Sequence, residues 1–317
     1  MALLEVKDLF VRYPVRTPLF RKQRYLYAVN GVSFSLEKGE TIGLVGESGC
    51  GKSTLGRALV RLETPSSGEI LLSGRDLAHA KGRELLEMRK HFQMIFQDPY
   101  GSLNPRLSIF STLDEVIAMT GKKSRLERWD KAAGLLEMVG LTADALTRYP
   151  HQFSGGQRQR IGIARALAAD PDFIVADEPV SALDVSVQAS IVNLLQDIQQ
   201  KSRTAMLFIA HDLAVVEHIS SRILVMYLGN IVESAPAKEL VASPRHPYTE
   251  ALLSAVPTPA EGLRERIRLS GDVPSPLNPP PGCPFHERCP YASAKCKEEK
   301  PPVTTDGSRS FSCWHPR

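Results

Sequence analysis

The 317-residue sequence predicts an α/β fold with a mostly parallel sheet covered by helices on both faces. Short apolar runs such as TIGLVG (41–46) and FIVAD (173–177) are typical of buried strands, and helical patterns lie between them. Residues from about 110 to 148 contain no convincing strand, which predicts a helical insert. From Pro257 onward proline is frequent, so we expect an irregular extension that cannot continue a sheet or helix.

The first predicted elements surround a glycine-rich loop. TIGLVG enters this loop as a strand, and residues 52–62 can form the helix that follows it. SSGEILLSGRDL (66–77) has turn residues on both sides of another short strand. KAAGLLEMVG (131–140) suits a helix of the insert, and we expect a helical subdomain at about 98–153.

Strands and helices alternate again after the insert. Asp184 can cap a helix with apolar residues at i, i+3, i+4 and i+7. These apolar residues are Ile191, Leu194, Leu195 and Ile198. AMLFIAH (205–211) and ILVMYL (223–228) predict further strands. We place one domain at 1–240 and a C-terminal extension at 241–317.

Charge and hydropathy limit the possible partners. The net charge of +4 is too small for this length to indicate nucleic acid, and no nucleic-acid partner is expected. Acidic Glu5 and Asp8 stand where a signal peptide would be apolar, and no uncharged run approaches the ~18 residues of a spanning helix. We expect a cytoplasmic chain that works at a membrane only through a partner.

The most informative motif is GESGCGKST (46–54), which fits G-x-x-x-x-G-K-[ST] between a strand and a helix. Its glycines let successive N–H groups point at phosphate oxygens, and the helix N-terminus adds a positive dipole end. Lys52 is predicted to reach the β- and γ-phosphates, and the Ser53 hydroxyl to coordinate Mg²⁺. We interpret Cys50 as structural. The predicted nucleotide-binding residues of this loop are Gly46, Ser48, Gly49, Cys50, Gly51, Lys52, Ser53 and Thr54.

Two adjacent carboxylates follow the strand in FIVADEP (173–179). Asp177 is placed to hold the Mg²⁺ shell at the end of that strand. Glu178 faces differently and can polarise a water for attack on the γ-phosphate. An acidic pair that caps a helix is the alternative, and the upstream P-loop disfavours it.

The stretch FSGGQRQR (153–160) narrows the class of ATPase. Ser154 can cap a helix whose first turn holds Gly155 and Gly156, which presents a hydroxyl and bare N–H groups to an anion. Together with the P-loop and FIVADEP, this stretch, including Gln157, resembles the signature of the ATP-binding cassette (ABC) ATPases. The resemblance implies an ABC-type P-loop NTPase fold. It also implies that the anion at the helix capped by Ser154 is the γ-phosphate bound to the P-loop of an opposing subunit. It therefore implies a dimer with a second ABC ATPase subunit, either a copy or a paralogue.

Smaller features match the same family over roughly residues 3–235. The resemblance makes Gln97 the residue that links Mg²⁺ and the attacking water to the helical insert, and makes SALD (181–184) the loop that crosses between two active sites. It gives His211 a contact with the γ-phosphate and a role in positioning water. Tyr13 is the candidate for stacking on adenine, although Tyr25 and Tyr27 lie nearby in the sequence.

The tail implies a more specific group. SPRHPYTEALLSAVP (243–257) and LSGDVPSPLNPPPGCPFHERC (269–289) resemble the C-terminal region of ATP-binding subunits of dipeptide and oligopeptide importers. Nickel and glutathione importers belong to that group. The resemblance implies ATP-driven import across the inner membrane, with this chain on its cytoplasmic face. The implied partners are two integral membrane permeases and a periplasmic or extracellular substrate-binding protein. The alternative is a soluble ABC-type ATPase that acts on DNA or ribosomes.

Four of the five cysteines lie in this tail, with the spacing C-x5-C-x6-C-x16-C. Disulfides are disfavoured for a cytoplasmic chain, and unrelated buried thiols are disfavoured in a proline-rich segment. A metal centre remains, and the gaps are wide for a zinc knuckle. Some importer subunits that the tail resembles carry a [4Fe–4S] cluster, so the resemblance favours that cluster, with Zn²⁺ as the alternative. The predicted ligands are Cys283, Cys289, Cys296 and Cys313.

Overall fold

The computed structural model describes residues 2–15, 23–121, 123–255 and 267–317. It divides the chain into two compact units. The first contains residues 1–37, 41–78 and 209–317, and the second contains residues 38–40 and 79–208. These units do not follow the boundary predicted near residue 240, because the described part of the extension belongs to the same unit as the P-loop.

Strands and helices alternate along most of the chain. In chain order the elements are β1 (Leu4–Val15), β2 (Arg24–Leu36), β3 (Thr41–Val45), α1 (Lys52–Leu59), β4 (Ser67–Leu72), β5 (Arg75–Asp76), α2 (Gly82–Met88), β6 (Phe92–Ile95), α3 (Ile109–Met119), α4 (Arg125–Met138), two 3₁₀ turns (Ala143–Thr147 and Pro150–Gln152), α5 (Gly155–Leu167), β7 (Phe173–Asp177), α6 (Val185–Ser202), β8 (Ala205–Ile209), α7 (Leu213–Ile219), β9 (Arg222–Tyr227), β10 (Asn230–Pro236), α8 (Ala237–Ala242), α9 (Pro247–Ser254), α10 (Ala294–Glu298), β11 (Thr304–Asp306) and β12 (Arg309–Phe311).

The first unit contains two groups of strands. One is an antiparallel sheet in the order β2-β1-β4-β5. The other runs in the order β11-β12-β10-β9-β3, with β3 parallel to β9. Every residue of β3 is buried, as expected for a parallel strand that is covered on both faces. The strand that enters the P-loop therefore belongs to the buried core.

The tail does continue the sheet, so the prediction of a purely irregular extension is wrong. Residues Glu233 and Ser234 of β10 pair with Phe311 and Ser310 of β12, and β11 completes a hairpin with β12. Residues 304–311 contain no proline, so no ladder N–H is missing from this hairpin. Gly307 and Ser308 form the turn between the two strands, with φ 59 at Gly307, and a Gly-Ser pair between two strands is a hairpin signal.

The second unit contains the helical insert and the strands β8-β7-β6 in that order. The described residues between 110 and 148 form no strand, which confirms the expected helical character of the insert. Helices α3 and α4 pack through Phe110 and Trp129, whose ring centroids are 4.7 Å apart. An ion pair of 2.5 Å between Arg128 Nε and Asp114 Oδ1 joins the same helices.

Capping explains where several helices begin. Ser124 starts α4 with a reciprocal box, in which its hydroxyl accepts from the Glu127 N–H and the Glu127 carboxylate accepts from the Ser124 N–H. Asp184 stands at the N-cap of α6 as predicted, but its side chain makes no capping hydrogen bond there. Within the described ranges, no helix is long and apolar enough to cross a membrane.

Candidate functional site

The predicted nucleotide residues fall in both units, and each group is described within its own unit. In the first unit, the P-loop joins β3 to α1 and needs glycine at particular positions. Gly51 has φ 107, and a Cβ there would lie 2.0 Å from the Ala28 carbonyl oxygen. Gly46 has φ 156, and its Cβ would lie 2.2 Å from the Met226 carbonyl oxygen. Only glycine allows the loop to curl so close to neighbouring backbone.

Lys52 begins α1 and turns its side chain back over the loop. Its exposed fraction is 4%, and Nζ donates to the carbonyl oxygens of Gly46 at 2.7 Å and Glu47 at 3.1 Å. Both acceptors are neutral, so a phosphate would supply the opposite charge that this buried ammonium favours. Ser53 and Thr54 follow in the first turn of α1, at the end of the helix that favours anions.

The remaining loop residues differ in exposure. Ser48 and Gly49 are exposed, as a surface that meets a ligand requires. Cys50 is only 2% exposed, and burial raises the pKa of its thiol. A buried, neutral thiol agrees with its interpretation as a structural residue.

Tyr13 and His211 also belong to the first unit. Burial raises the pKa of the Tyr13 hydroxyl, which interacts with Thr54 and Glu63. Tyr13 therefore lies beside the helix that follows the P-loop, whereas Tyr25 is 41% exposed. His211 is exposed between β8 and α7, directly before Asp212, which caps α7 by accepting from the Ala214 N–H at 2.9 Å.

In the second unit, strand register brings two predicted catalytic side chains together. Strands β6 and β7 are parallel, and Ile95 pairs with Ala176. Gln97 and Glu178 each follow two residues after that pair, and Gln97 Nε2 donates to Glu178 Oε2 at 2.9 Å. Asp177, 1% exposed, ends β7 immediately before Glu178. An amide and two carboxylates thus share the carboxyl end of this strand pair.

The signature segment forms the start of α5. The Ser154 hydroxyl accepts from the Gln157 N–H at 3.3 Å, and Gln157 Oε1 accepts from the Ser154 N–H at 3.0 Å. Because the Ser154 hydroxyl serves as an acceptor in this box, its own proton can be donated to an anion. A Cβ at Gly156 would come within 2.7 Å of the Val187 side chain, so glycine suits the close packing of this turn.

Two further contacts to the P-loop were not predicted from the sequence. The Tyr248 hydroxyl accepts from the Glu47 N–H at 2.8 Å, and Arg288 forms an ion pair with the Glu47 carboxylate at 2.6 Å. Tyr248 lies in the segment that indicated an importer-type tail, and Arg288 lies next to Cys289. No local pattern marks either residue, because 201 and 241 positions separate them from Glu47.

The four tail cysteines belong to one small region of the first unit. The Cys283 N–H donates to the Cys296 carbonyl at 2.8 Å. Burial raises the pKa of Cys283 and of Cys313 to about 11, with smaller contributions from the neighbouring thiols. Among the residues that the structure describes, however, no three His, Cys, Asp or Glu side chains form a group that could hold a metal ion. The side-chain geometry therefore does not support the predicted metal centre.

Comparisons with known proteins agree with the fold and the motifs. Residues 29–181 match the family described as "ABC transporter", and residues 232–296 match "Oligopeptide/dipeptide transporter, C-terminal region". The "Dipeptide transport ATP-binding protein DppF" of Haemophilus influenzae is 49% identical over 316 residues, which is 99% of this chain and 96% of the relative. The "Oligopeptide transport ATP-binding protein AppF" of Bacillus subtilis is 51% identical over 318 residues, covering 99% and 97%.

A solved structure supports the same fold. It is titled "Dimeric structure of a post-hydrolysis state of the ATP-binding cassette MJ0796 bound to ADP and Pi". It is 28% identical to this chain, with a TM-score of 0.66, and the match covers 74% of this chain and 98% of that one. The P-loop NTPase fold of the ABC type is thereby confirmed. The chain belongs to the ATP-binding subunits of dipeptide and oligopeptide ABC transporters, and it is an ATPase coupled to transport.

Proposed function

We propose that this chain hydrolyses ATP to energise import of dipeptides and oligopeptides across the inner membrane. The hydrogen bond between Gln97 and Glu178, beside Asp177, is the observation that carries the hydrolytic part of the proposal. The names of the relatives support peptides as the solute class. Neither nickel nor glutathione is named among the relatives described above, and a role on DNA or ribosomes is not favoured.

Each predicted residue has a role in this proposal. The P-loop, residues 46–54, cradles the phosphates, with Lys52 on the β- and γ-phosphates and Tyr13 stacked on adenine. Glu178 polarises the attacking water, and His211 positions that water against the γ-phosphate. In a dimer, residues 154–157 would meet the γ-phosphate bound by the partner subunit.

Magnesium suits the donor atoms of this proposal. Ser53, Gln97 and Asp177 offer hydroxyl, amide and carboxylate oxygens, which are the ligands that Mg²⁺ prefers. Gln97 uses its Nε2 toward Glu178, so its Oε1 remains the atom suited to a cation. When bound, Mg²⁺ would neutralise developing charge on the phosphate oxygens.

The substitution Glu178→Gln tests the hydrolytic role. Glutamine keeps an oxygen that accepts from Gln97 but removes the negative charge that orients water. We expect ATP hydrolysis by the intact complex to fall by about 10²–10⁴-fold while ATP binding persists. Glu217→Gln, at a half-buried glutamate of α7, is the matched control. Phosphate release at the wild-type rate would rule out Glu178 as the catalytic base.

We further propose that the chain is peripheral to the membrane, at the cytoplasmic face, with a second ATPase subunit and two permeases. A periplasmic or extracellular substrate-binding protein would deliver the peptide. The family assignment and the dimeric cassette that resembles this chain support these partners. Purification of the native complex from membranes, followed by identification of its subunits, tests the assembly. Recovery with ribosomes or DNA and without permeases would favour the soluble alternative.

For the tail we propose a [4Fe–4S] cluster on Cys283, Cys289, Cys296 and Cys313, with Zn²⁺ as the alternative. The location of all four cysteines in one compact region supports the proposal, and the present side-chain geometry does not. Anaerobically purified protein should absorb near ~400 nm and contain about four iron atoms per chain. Cys289→Ser should remove both signals, whereas Cys50→Ser should keep them. Colourless protein with about one zinc ion would favour Zn²⁺, and protein without either metal would refute both.

A further inference from the structure

Glu47, the second residue of the P-loop, is held by the C-terminal extension through two different groups. Its backbone N–H donates to the Tyr248 hydroxyl at 2.8 Å. Its carboxylate accepts two hydrogen bonds from Arg288, with Nη1–Oε2 at 2.6 Å and Nη2–Oε1 at 3.1 Å. A paired guanidinium–carboxylate contact of this kind fixes direction as well as distance. The loop is therefore restrained on both its backbone and its side chain.

The extension holds Tyr248 rigidly. His246 Nδ1 accepts from the Tyr248 N–H at 3.1 Å and so caps α9, while the Glu233 carboxylate accepts from the His246 N–H at 2.9 Å. The Tyr248 ring packs against Tyr227 and Phe285, with centroids 4.7 and 5.4 Å away. Burial raises the pKa of the Tyr248 hydroxyl, so this group is a neutral phenol.

Arg288 is equally constrained. Its side chain is 8% exposed, and its N–H donates to the Phe285 carbonyl at 3.0 Å. The hydrogen bonds to Glu47 raise the pKa of the guanidinium, which remains charged. Arg288 is the more buried partner, since the Glu47 side chain is 28% exposed, and removal of either group would leave the other charge in a partly desolvated place without compensation. Glu47 and Arg288 therefore act as a unit.

Glu47 also contacts Lys52, the lysine that is proposed to bind phosphate. The Glu47 carbonyl accepts from Lys52 Nζ at 3.1 Å, and the Glu47 N–H donates to the Tyr248 hydroxyl. Tyr248 and Lys52 therefore contact the two backbone polar groups of the same residue. Arg288 also neutralises a carboxylate that stands within a phosphate-binding loop. Without Arg288, that negative charge would oppose the binding of an anion.

We infer that Arg288 and Tyr248 are positioning residues for the nucleotide phosphates, acting through Glu47. This inference rests on the proposed role of the P-loop as the ATP site. It assigns to the importer-type extension a direct part in shaping that loop. Neither residue touches the phosphates; each holds the backbone and the charge of Glu47 in the arrangement that binds them.

The experiment measures equilibrium binding of a fluorescent non-hydrolysable ATP analogue with Mg²⁺ to the full-length chain in its native complex. We expect Arg288→Met to weaken binding by about tenfold, because it frees the Glu47 charge. Adding Glu47→Gln to Arg288→Met should restore most of that loss, since the uncompensated charge disappears. Recovery by a second substitution distinguishes positioning from a general loss of structure.

Tyr248→Phe and Arg288→Lys provide milder tests if Arg288→Met does not fold. The first removes only the hydroxyl that accepts from Glu47, and the second keeps the charge but loses the paired geometry. Each should weaken binding of the analogue severalfold. Arg317→Met is the matched control, because the Arg317 side chain pairs with Glu250 at 3.5 Å in the same extension, and not with Glu47, Glu233 or His246. Its affinity for the analogue should equal that of the wild type.

Lys52→Ala separates failure of this inference from failure of the proposed function. If Lys52→Ala binds the analogue like the wild type, the P-loop assignment itself is wrong. If Lys52→Ala loses binding while Arg288→Met and Tyr248→Phe keep wild-type affinity, the positioning role is overturned. It is also overturned if Arg317→Met weakens binding as much as Arg288→Met, or if Glu47→Gln fails to restore the loss.

Discussion

Glu178 carries its side chain on a left-handed backbone with φ 45, directly after a fully buried strand. A non-glycine residue in this conformation is strained by about 1–3 kcal/mol and persists only where its surroundings hold it. Here the Glu178 carbonyl accepts from the Ser181 hydroxyl at 3.1 Å, and its carboxylate accepts from Gln97. Asp177 is 1% exposed whereas Glu178 is half-buried, so the two adjacent carboxylates lie in different surroundings, in keeping with the proposed division between metal binding and water activation.

His246 provides a residue-level prediction about pH. The side chain is 1% exposed, and burial lowers its pKa from 6.5 to about 3. Below about pH 6.5 the unfolded chain binds a proton that the folded chain does not, so stability falls as the pH decreases toward 3. From pH 7 to pH 5 this residue should lower the free energy of unfolding by about 2 kcal/mol.

His246→Asn should remove this pH-dependent contribution while keeping a side-chain acceptor at the start of α9. Chemical denaturation at pH 7 and pH 5 gives the two free energies of unfolding for each variant. His218→Asn, at an exposed histidine of α7, is the control and should keep the wild-type difference. An unchanged difference in His246→Asn would show that another group titrates instead.

At the scale of elements, α5 presents the signature segment through its cap. Ser154 stabilises the helix with its hydroxyl, and the same atom is proposed to face the partner's nucleotide. These two roles make different predictions for two substitutions. Ser154→Ala removes the cap and should lower stability by about 1 kcal/mol. Ser154→Arg also removes the cap, and in addition places a bulky cation at the proposed dimer contact.

We expect Ser154→Arg to bind ATP at its own P-loop but to fail in ATP-dependent closure of the two cassettes. Crosslinking of engineered cysteines across the cassette dimer measures closure, and thermal unfolding measures the loss of the cap. Ser124→Ala, which loses the equivalent capping box of α4, is the matched control for a lost cap, and it should still close. Normal closure of Ser154→Arg would mean that this residue does not face nucleotide across an interface.

At the scale of the whole molecule, the extension is part of the unit that contains the P-loop. Tyr227 has no exposed surface, and its ring packs against Tyr248 and Phe285 at 4.7 and 5.2 Å. The buried carboxylate of Glu233 accepts from the N–H groups of Arg245 and His246. These contacts join the segment before residue 240 to the segment after it, so the boundary predicted there would divide a shared core.

A chain that ends at residue 240 should therefore fold poorly. Each large side chain left uncovered costs about 1.5–3 kcal/mol, which is a large share of the ~5–15 kcal/mol that stabilises a typical domain. Thermal unfolding of residues 1–240 should show a transition that is absent or lowered by well over 10 °C, with the full chain as the control. A cooperative transition at the same temperature would show that the extension folds independently of the rest.

The sequence by itself determined the features whose physics is local. The P-loop, the strand that ends in Asp177 and the helix that begins at Ser154 each lie within about ten residues. Glycine freedom, buried-strand composition and helix capping act over that distance. The α/β class and the strand-poor insert were predicted for the same reason. The hairpin of β11 and β12 also has a local signal in its Gly-Ser turn, but the frequency of proline outweighs it in the prediction.

The tertiary structure alone decided which distant residues meet. Gln97 and Glu178 are brought together by the register of two parallel strands, which no short pattern specifies. The contacts of Glu47 with Tyr248 and Arg288 span 201 and 241 positions and depend on how the extension packs in its unit. The cysteine spacing likewise could not show how closely the thiols approach one another. Side-chain contacts between distant segments follow from packing of the whole core, and packing has no signature in any single stretch of sequence.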